Sequence, residues 1–140
     1  MGHSYIEYGG NEFLARDSKI EWLCQFLREE RNNRLPNYKF TTSIDRLFEW
    51  WDTDEAFPGP GCIDMRLDDF ITDKITQEQM FSLLNGVKHT VASYGKAIPV
   101  DEMNRHCGYT VGGYMNEMPV PPMLEFLSRV RRLIKKRKFT

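Results

Sequence analysis

Apolar residues recur along most of the chain at the i, i+3, i+4 and i+7 spacing that places them on one face of a helix. The longest such stripe covers residues 80–94. Thr76 and Gln79 precede it in capping-box spacing, and Gly95 follows it where a C-terminal cap would lie. Together these features predict a helix over about 76–94.

The same periodicity predicts further helices. A Ser18–Glu21 capping box opens the first of them, and Pro121 suits the first turn of the last. The predicted segments cover about 18–32, about 43–54, a short stretch near 63–71, about 99–107 and about 121–134. Residues 5–8 or 109–111 could each add a short strand. We therefore predict a mainly α fold, a single-domain compact helical bundle of about five to six helices over residues 1–140, with at most a short hairpin.

The composition is that of a globular protein, with 41% hydrophobic and 28% charged residues among 140. No apolar run approaches the roughly 18–20 residues that span a bilayer, so we predict no membrane partner. The three cysteines, Cys24, Cys62 and Cys107, are widely spaced and odd in number. That pattern does not fit a disulfide framework and favours a reducing compartment, which predicts a cytoplasmic protein.

Charge is distributed unevenly, although the net charge is only −1. Residues 129–138 carry seven basic side chains and no acidic one. Between residues 45 and 73, nine acidic side chains accompany only two arginines, a local balance of −7. An acidic surface attracts basic partners and repels nucleic acid.

The acidic segment therefore predicts a binding surface for a basic protein. It also contains Trp50 and Trp51, and aromatic residues are enriched at the energetic centres of interfaces. The simpler interpretation is that Phe48 and Trp51 belong to the core and that the carboxylates are merely solvated. From charge alone, the candidate contact residues are Asp45, Glu49, Trp50, Asp52, Asp54, Glu55, Asp64, Asp68 and Asp69.

No sequence pattern typical of catalysis stands out. A zinc site needs Cys and His in close pairs that converge on one ion, whereas His106 and Cys107 are adjacent and the others are scattered. Asp68 and Asp69 would point about 100° apart on a helix, which is a poor arrangement for clamping a cation. A nucleophilic Cys62 or Cys107 is the least favoured hypothesis. We predict a binding protein rather than an enzyme, with no metal and no cofactor.

The basic C-terminal segment supports an alternative hypothesis. Its cations could bind phosphates, which would make the chain an RNA- or ribosome-associated helical protein. The plainer interpretation is a solvated helix end, because apolar residues at helical spacing run through the segment and cations favour a helix C-terminus. We favour the plainer interpretation and expect no direct contact with nucleic acid.

Several short motifs follow one another over most of the chain. They are Tyr8-Gly9-Gly10, Phe13, Ala15 and Asp17, Ile20-Glu21-Trp22, Gly61-Cys62-Ile63, Leu67-Asp68-Asp69-Phe70-Ile71-Thr72, Val120-Pro121 and Val130-Arg131-Arg132-Leu133-Ile134-Lys135. In their order and spacing they resemble a family of bacterial immunity proteins that protect cells from contact-dependent growth inhibition toxins. The basic C-terminal end of this chain departs from the neutral or acidic end of those proteins.

The resemblance implies a cytoplasmic antidote that binds the C-terminal toxin domain of a cognate effector. Such toxins are often nucleases, with tRNA a common target, and nuclease domains tend to be basic because they hold phosphate. An acidic antidote surface would then cover the active-site or substrate-binding cleft of the toxin. The resemblance supplies no catalytic residues, so the candidate contact residues rest on charge.

Overall fold

The computed structural model describes residues 2–109 and 113–139. Six helices and four short strands lie within these ranges. The helices are α1 (Asp17–Arg34), α2 (Thr42–Trp51), α3 (Leu67–Phe70), α4 (Lys74–Ala92), α5 (Val100–Cys107) and α6 (Val120–Lys135), and the strands are β1 (His3–Tyr8), β2 (Asn11–Arg16), β3 (Ala97–Ile98) and β4 (Met118–Pro119). None of the helices in the described ranges is both long and apolar enough to cross a bilayer.

The prediction of a mainly α bundle with at most a short hairpin is wrong. The protein has a mixed α and β fold, because β1 pairs with β2 and β3 pairs with β4 in two antiparallel two-stranded sheets. Strands β3 and β4 are far apart in the chain and only two residues long, so no local periodicity reveals their pairing. The strand suggested for 109–111 falls mostly on residues outside the described ranges.

The β1–β2 hairpin is formed by an alternating pattern and a turn of two glycines. Residues 4, 6 and 8 are buried while residues 3, 5 and 7 are exposed, which is the period of two of a strand with one covered face. Gly9 (φ 60°) and Gly10 (φ 81°) both adopt left-handed backbone. A two-residue turn with positive φ at both positions matches the twist of the strands it joins.

Helix α4 begins earlier than predicted because another residue caps it. The Asp73 carboxylate accepts a hydrogen bond from the Thr76 backbone N–H at 2.8 Å, and the Asp73 backbone N–H donates to the Thr76 hydroxyl at 3.1 Å. This reciprocal pair is the capping box of α4, so the predicted Thr76–Gln79 box is wrong. Gln79 is buried, and its side-chain oxygen accepts from the Thr41 backbone N–H at 3.1 Å.

Helix α1 begins without a side-chain cap, so the predicted Ser18–Glu21 capping box is also wrong. The helix packs its apolar face against α4, and α4 packs against α6. Trp22 of α1 lies edge-to-face with Phe26 at 5.7 Å and with Phe126 of α6 at 5.5 Å between ring centroids. Such aromatic contacts fix the geometry of the core in addition to burying apolar area.

The two tryptophans at the end of α2 fasten the following loop. The Trp50 indole N–H donates to the Asp64 carbonyl oxygen at 2.7 Å, and the buried Trp51 indole N–H donates to the Met65 carbonyl oxygen at 2.9 Å. Buried indole N–H groups need an acceptor, and here the loop backbone supplies it. Residues 64 and 65 are thereby held against α2, next to the hairpin.

We predict that Gly10→Ala lowers the free energy of unfolding by about 1 kcal/mol, because an alanine resists left-handed backbone even in open space. A Cβ at position 10 would meet no atom within 4 Å, so the cost is purely conformational. Gly59→Ala is the matched control, since a Cβ there also has open space but the backbone is not left-handed. Urea unfolding gives the free energy of unfolding of both variants, and equal values for the two would contradict the proposed turn.

Candidate functional site

A cleft of about 470 Å³ lies between β1 and the segment 61–69. Tyr5 and Glu7 of β1 form one wall. The opposite wall includes the free, exposed Cys62 and the carboxylates of Asp64, Asp68 and Asp69. The volume of the cleft lies within the range of about 300–1,000 Å³ that is usual for ligand-binding clefts, which makes the cleft the first candidate for a functional site.

Hydrogen bonds hold the segment beside β1 at one end of the cleft. The Asp17 carboxylate accepts from the Gly61 backbone N–H at 2.7 Å and from the Ser4 hydroxyl at 2.6 Å. The Ser4 hydroxyl oxygen in turn accepts from the Ile63 backbone N–H at 3.1 Å. The first residues of the segment are therefore fixed to the start of β1.

Two further hydrogen bonds hold the other end. The Asp68 carboxylate accepts from the Gly9 backbone N–H in the hairpin turn at 2.8 Å. The buried Tyr8 side chain donates its hydroxyl hydrogen to the Ile71 carbonyl oxygen at 2.7 Å. The segment thus follows the full length of β1, and both walls of the cleft are fixed by hydrogen bonds.

Like charges are concentrated on this side of the hairpin. Glu7 and Glu12 are directly opposite each other in the β1–β2 ladder. The pKa of Glu7 is raised, first by its hydrogen bond with the Glu12 carboxyl group, then by partial burial, and then by repulsion from Glu12, Asp64 and Asp68. Like charges directly opposite across two strands are destabilising, so the fold tolerates an unfavourable pair here.

Two arginines lie close to the cleft carboxylates, within the described residues. The Arg66 Nε atom is 3.6 Å from an Asp64 oxygen and 3.7 Å from an Asp69 oxygen, and its guanidinium carbon lies 4.0 Å from the centre of the Trp50 ring. The Arg137 guanidinium is 3.2 Å from an Asp68 oxygen. Two cations cannot balance the four carboxylates that line the cleft, which are Glu7, Asp64, Asp68 and Asp69, so the region stays negative.

Arg66 also has an unusual backbone conformation. At φ 52° it is the one non-glycine residue with positive φ in the part of the chain that the structure describes. Left-handed backbone costs a residue with a Cβ about 1–2 kcal/mol, and such outliers concentrate at functional sites. The strain therefore falls in the wall of the same cleft.

An exposed apolar pair borders the cleft. Tyr5 and Leu14 are cross-strand neighbours on the outer face of the hairpin, and they are 54% and 48% exposed. Tyr5 also lines the cleft. The outer hairpin face therefore presents an apolar centre beside an acidic groove, which is the usual arrangement of a protein-binding surface with an apolar centre and a polar rim.

The residues predicted from charge are only partly brought together. Asp64, Asp68 and Asp69 line the cleft, and Trp50 supports it through Arg66. The other five lie outside the cleft: Asp45 pairs with Arg31 at 2.6 Å, Asp52 pairs with Arg28 at 2.5 Å, and Glu49, Asp54 and Glu55 are exposed on α2 or the loop after it. Phe48 and Trp51 are buried in the core, as the simpler interpretation held.

Sequence reasoning overlooked the hairpin residues of this surface, which are Tyr5, Glu7, Glu12 and Leu14. The signal was present, because residues 3–8 alternate between polar and apolar and two consecutive glycines follow them. The sequence also did not predict that arginines of α1 neutralise Asp45 and Asp52, because the spacing of residues within a helix does not show which side chains of another helix they contact.

A second groove, of about 450 Å³, lies on the other side of the hairpin, between β2 and α6. The cations Arg129, Arg132 and Lys136 line it together with Glu12 and Phe13. The Arg129 guanidinium carbon lies 4.3 Å from the centre of the Phe13 ring. Within the described ranges, none of the three cations has a carboxylate oxygen within 4 Å.

His106 and Cys107 take part in a buried helix junction. His106 is buried between Glu29 of α1, 2.6 Å from its Nδ1 atom, and the Tyr94 hydroxyl, 2.6 Å from its Nε2 atom. Burial raises the pKa of the Cys107 thiol to about 11, so at neutral pH the group is not a thiolate nucleophile. No group of three or more metal-binding side chains comes together in the described part of the chain. The hydrogen bonds of His106 therefore join α1, α5 and the turn that follows α4.

No family model matches the chain, and no curated protein or solved structure matches it with statistical significance. The resemblance to immunity proteins is therefore carried by the sequence motifs alone. It stays a prediction, and the function has to be argued from the surface itself.

We predict that Glu12→Gln raises the free energy of unfolding at pH 7 by about 0.5 kcal/mol, because it removes a like charge opposite Glu7. The raised pKa of Glu7 fixes the sign, since the folded protein binds this proton more tightly than the unfolded chain. The repulsion is therefore absent at low pH and grows as pH rises above the ordinary value of 4.5. Urea unfolding of both proteins at pH 4 and pH 7 measures the difference; a gain equal at both pH values would contradict the assignment.

Proposed function

We propose that this chain is an immunity protein that binds and neutralises the basic C-terminal toxin domain of a contact-dependent growth inhibition effector. The observation that carries the proposal is the acidic cleft with Tyr5 and Leu14 exposed beside it. The family-like order of motifs supports the same function from the sequence. The action is binding, and the proposal involves no bond made or broken by this chain.

Opposite charge would select the partner. A nuclease domain has to hold phosphate, so its substrate cleft is basic, and a set of clustered carboxylates is complementary to it. The carboxylates of Glu7, Asp64, Asp68 and Asp69 lie on two facing walls, so they can surround a cationic side chain from both sides. Such an arrangement imitates the charge of a nucleic-acid backbone.

Apolar contact would supply much of the affinity. Charged groups chiefly guide encounter and orientation, whereas buried aromatic side chains dominate binding energies at interfaces. Tyr5 is exposed next to the acidic groove, so one partner can cover both. Occlusion of the active-site or substrate-binding cleft of the toxin then explains inhibition without further machinery.

The proposed site of action is the cytoplasm, where the toxin has its target. The exposed Cys62 thiol and the buried thiols of Cys24 and Cys107 are all free, which suits a reducing compartment. No metal or cofactor enters the proposal.

We predict that the double variant Glu7→Lys with Asp69→Lys binds the toxin domain at least tenfold more weakly at low salt and protects cells less. Both positions line the cleft, and the side chain of neither accepts a hydrogen bond from the backbone of the described residues. The domain to test is the one encoded at the end of the reading frame immediately upstream. Calorimetric titration gives the affinity, and growth of cells expressing the domain gives the protection.

The matched control is Asp54→Lys with Glu55→Lys, which changes the net charge equally at exposed positions outside the cleft. Its affinity should stay within about twofold of wild type at physiological salt, because screening weakens charges remote from the interface. Equal losses in the two double variants would show that only total charge matters, and the cleft would lose its role.

A second candidate function is RNA binding through the groove between β2 and α6. The specific observation in its favour is that Arg129, Arg132 and Lys136 line one groove and that none of them forms a salt bridge in the described ranges. Three cations on one surface can bind successive phosphates. The half-buried Phe13 beneath Arg129 is not free to stack on a base, which makes this candidate the weaker one.

This candidate predicts salt-dependent RNA binding that Arg129→Ala, Arg132→Ala and Lys136→Ala together reduce at least tenfold. The control is the triple variant Lys39→Ala, Lys74→Ala and Lys96→Ala, which removes the same charge from exposed positions elsewhere. A gel-shift titration with tRNA at two salt concentrations measures both. If wild type fails to shift tRNA at low salt, RNA binding is excluded as the function of this groove.

A further inference from the structure

The free edge of β1 faces the acidic cleft. In an antiparallel pair, neighbouring positions alternate between hydrogen-bonded pairs and pairs whose backbone groups point away from the partner strand. A two-residue turn makes its flanking residues, Tyr8 and Asn11, a hydrogen-bonded pair. Tyr8, Ile6 and Ser4 therefore bond to β2, while the backbone groups of Glu7 and Tyr5 point outward.

A hydrogen bond beyond the end of the sheet confirms this alternation. The Asp17 backbone N–H donates to the Gly2 carbonyl oxygen at 3.0 Å. The backbone carbonyl of residue 2 therefore points toward the β2 side, as the backbone groups of residues 4, 6 and 8 do. No backbone hydrogen bond outside the β1–β2 ladder uses the N–H or C=O groups of Tyr5 or Glu7 in the described ranges. Their spacing of two residues is the repeat with which another strand would pair.

These two residues are also the ones whose side chains line the cleft, opposite the segment 61–69. The segment is fixed to both ends of β1 through Asp17 and Asp68, yet it forms no ladder with the strand between those points. The cleft is therefore a groove with an unpaired strand edge on one side and carboxylates on the other. A free edge is normally covered or blocked, so one that opens into a groove indicates a place for another chain.

We propose that the groove binds an extended, basic segment of the partner protein, which adds to β1 as a third strand. Backbone hydrogen bonds to Tyr5 and Glu7 would hold the segment, and its cationic side chains would meet Asp64 and Asp69 on the facing wall. The occupant has to be basic, because four carboxylates line the groove and only two arginines lie beside them. The inference deepens the proposed function and rests on it for the choice of a protein partner.

The opposite edge of the hairpin provides an internal comparison. Leu14 of β2 faces Tyr5 across the ladder and has the same outward-pointing backbone, but it does not line the cleft. Proline at either position removes one outward N–H and leaves the β1–β2 ladder hydrogen bonds intact. Tyr5→Pro and Leu14→Pro are therefore a matched pair in which only the first blocks the groove edge.

The experiment uses the full-length protein and a blocked hexapeptide of alternating lysine and valine as probe. We expect Tyr5→Pro to bind the peptide at least tenfold more weakly than Leu14→Pro does, and equal affinities of the two proline variants would overturn the inference. Tyr5→Ala separates loss of the ring from loss of the N–H, and should bind better than Tyr5→Pro. In amide hydrogen exchange, the peptide should slow exchange of Tyr5 and Glu7 while leaving the exchange of Leu14 unchanged.

A second probe keeps the test independent of how the variants fold. The same hexapeptide methylated on every backbone nitrogen retains charge and length but cannot form a ladder, so we expect at least tenfold weaker binding to wild type. Equal binding of the two peptides would overturn the inference, since charge alone would then hold them. Failure of the unmethylated peptide to bind at low salt would overturn it as well.

The outcome for the cognate toxin domain separates this inference from the proposed function. If the domain binds wild type and Tyr5→Pro equally, strand addition is wrong while neutralisation of the toxin stands. If the domain does not bind wild type and cells are not protected, the proposed function fails, whatever the peptide result. Circular dichroism of the two proline variants confirms that they are compared in the same fold.

Discussion

The hydrogen bonds of one carboxylate hold a strand, a helix and a distant loop together at one end of the cleft. Asp17 stands where β2 ends and α1 begins, and its backbone N–H continues the hairpin ladder to Gly2. Its side chain accepts from Ser4 of β1 and from Gly61 of the distant loop. Because one carboxylate can accept hydrogen bonds from several donors at once, this side chain holds the strand, the helix and the loop together. Helix α1 begins without a side-chain cap because its N-cap residue is Arg16, whose guanidinium group has no hydrogen-bond acceptor.

The surface beside this junction contains several locally unfavourable features. Glu7 faces Glu12 across the ladder, Arg66 has left-handed backbone, and Tyr5 is half exposed. Each feature violates a local preference for sheets, loops or surfaces, and all of them surround one groove. Natural proteins concentrate such violations at functional sites, where binding compensates for them. The core, by contrast, is locally consistent: Trp22 and its aromatic neighbours are buried in favourable edge-to-face contacts.

The helices could be predicted because their information is local. Apolar stripes such as the one over residues 80–94 repeat through several helical turns. The start of α4 was predicted less well, because Asp73 caps the helix and α4 begins two residues before the predicted start. The site could be predicted only in part, because linear charge density does not show which carboxylates meet cations. Asp45 and Asp52 are paired with arginines of α1, and those contacts depend on how two helices pack. The alternation of polar and apolar residues over 3–8 indicates the first strand of the hairpin. A pattern of six residues is nevertheless a weaker sequence signal than the periodicity of a helix of nineteen residues.

The hairpin separates two grooves of opposite charge, and this arrangement limits how a partner can be recognised. Neighbouring strands lie about 4.8 Å apart, so the acidic and basic grooves are within about one or two screening lengths of each other at physiological salt. Their fields therefore oppose each other at a distance and become distinct only near contact. A partner that presented positive charge alone would be attracted by the cleft and repelled by Arg129 and Arg132 across the hairpin. A partner that fits the proposed function would present a basic segment with acidic groups beside it, and such a pattern gives orientation and specificity that uniform positive charge cannot give.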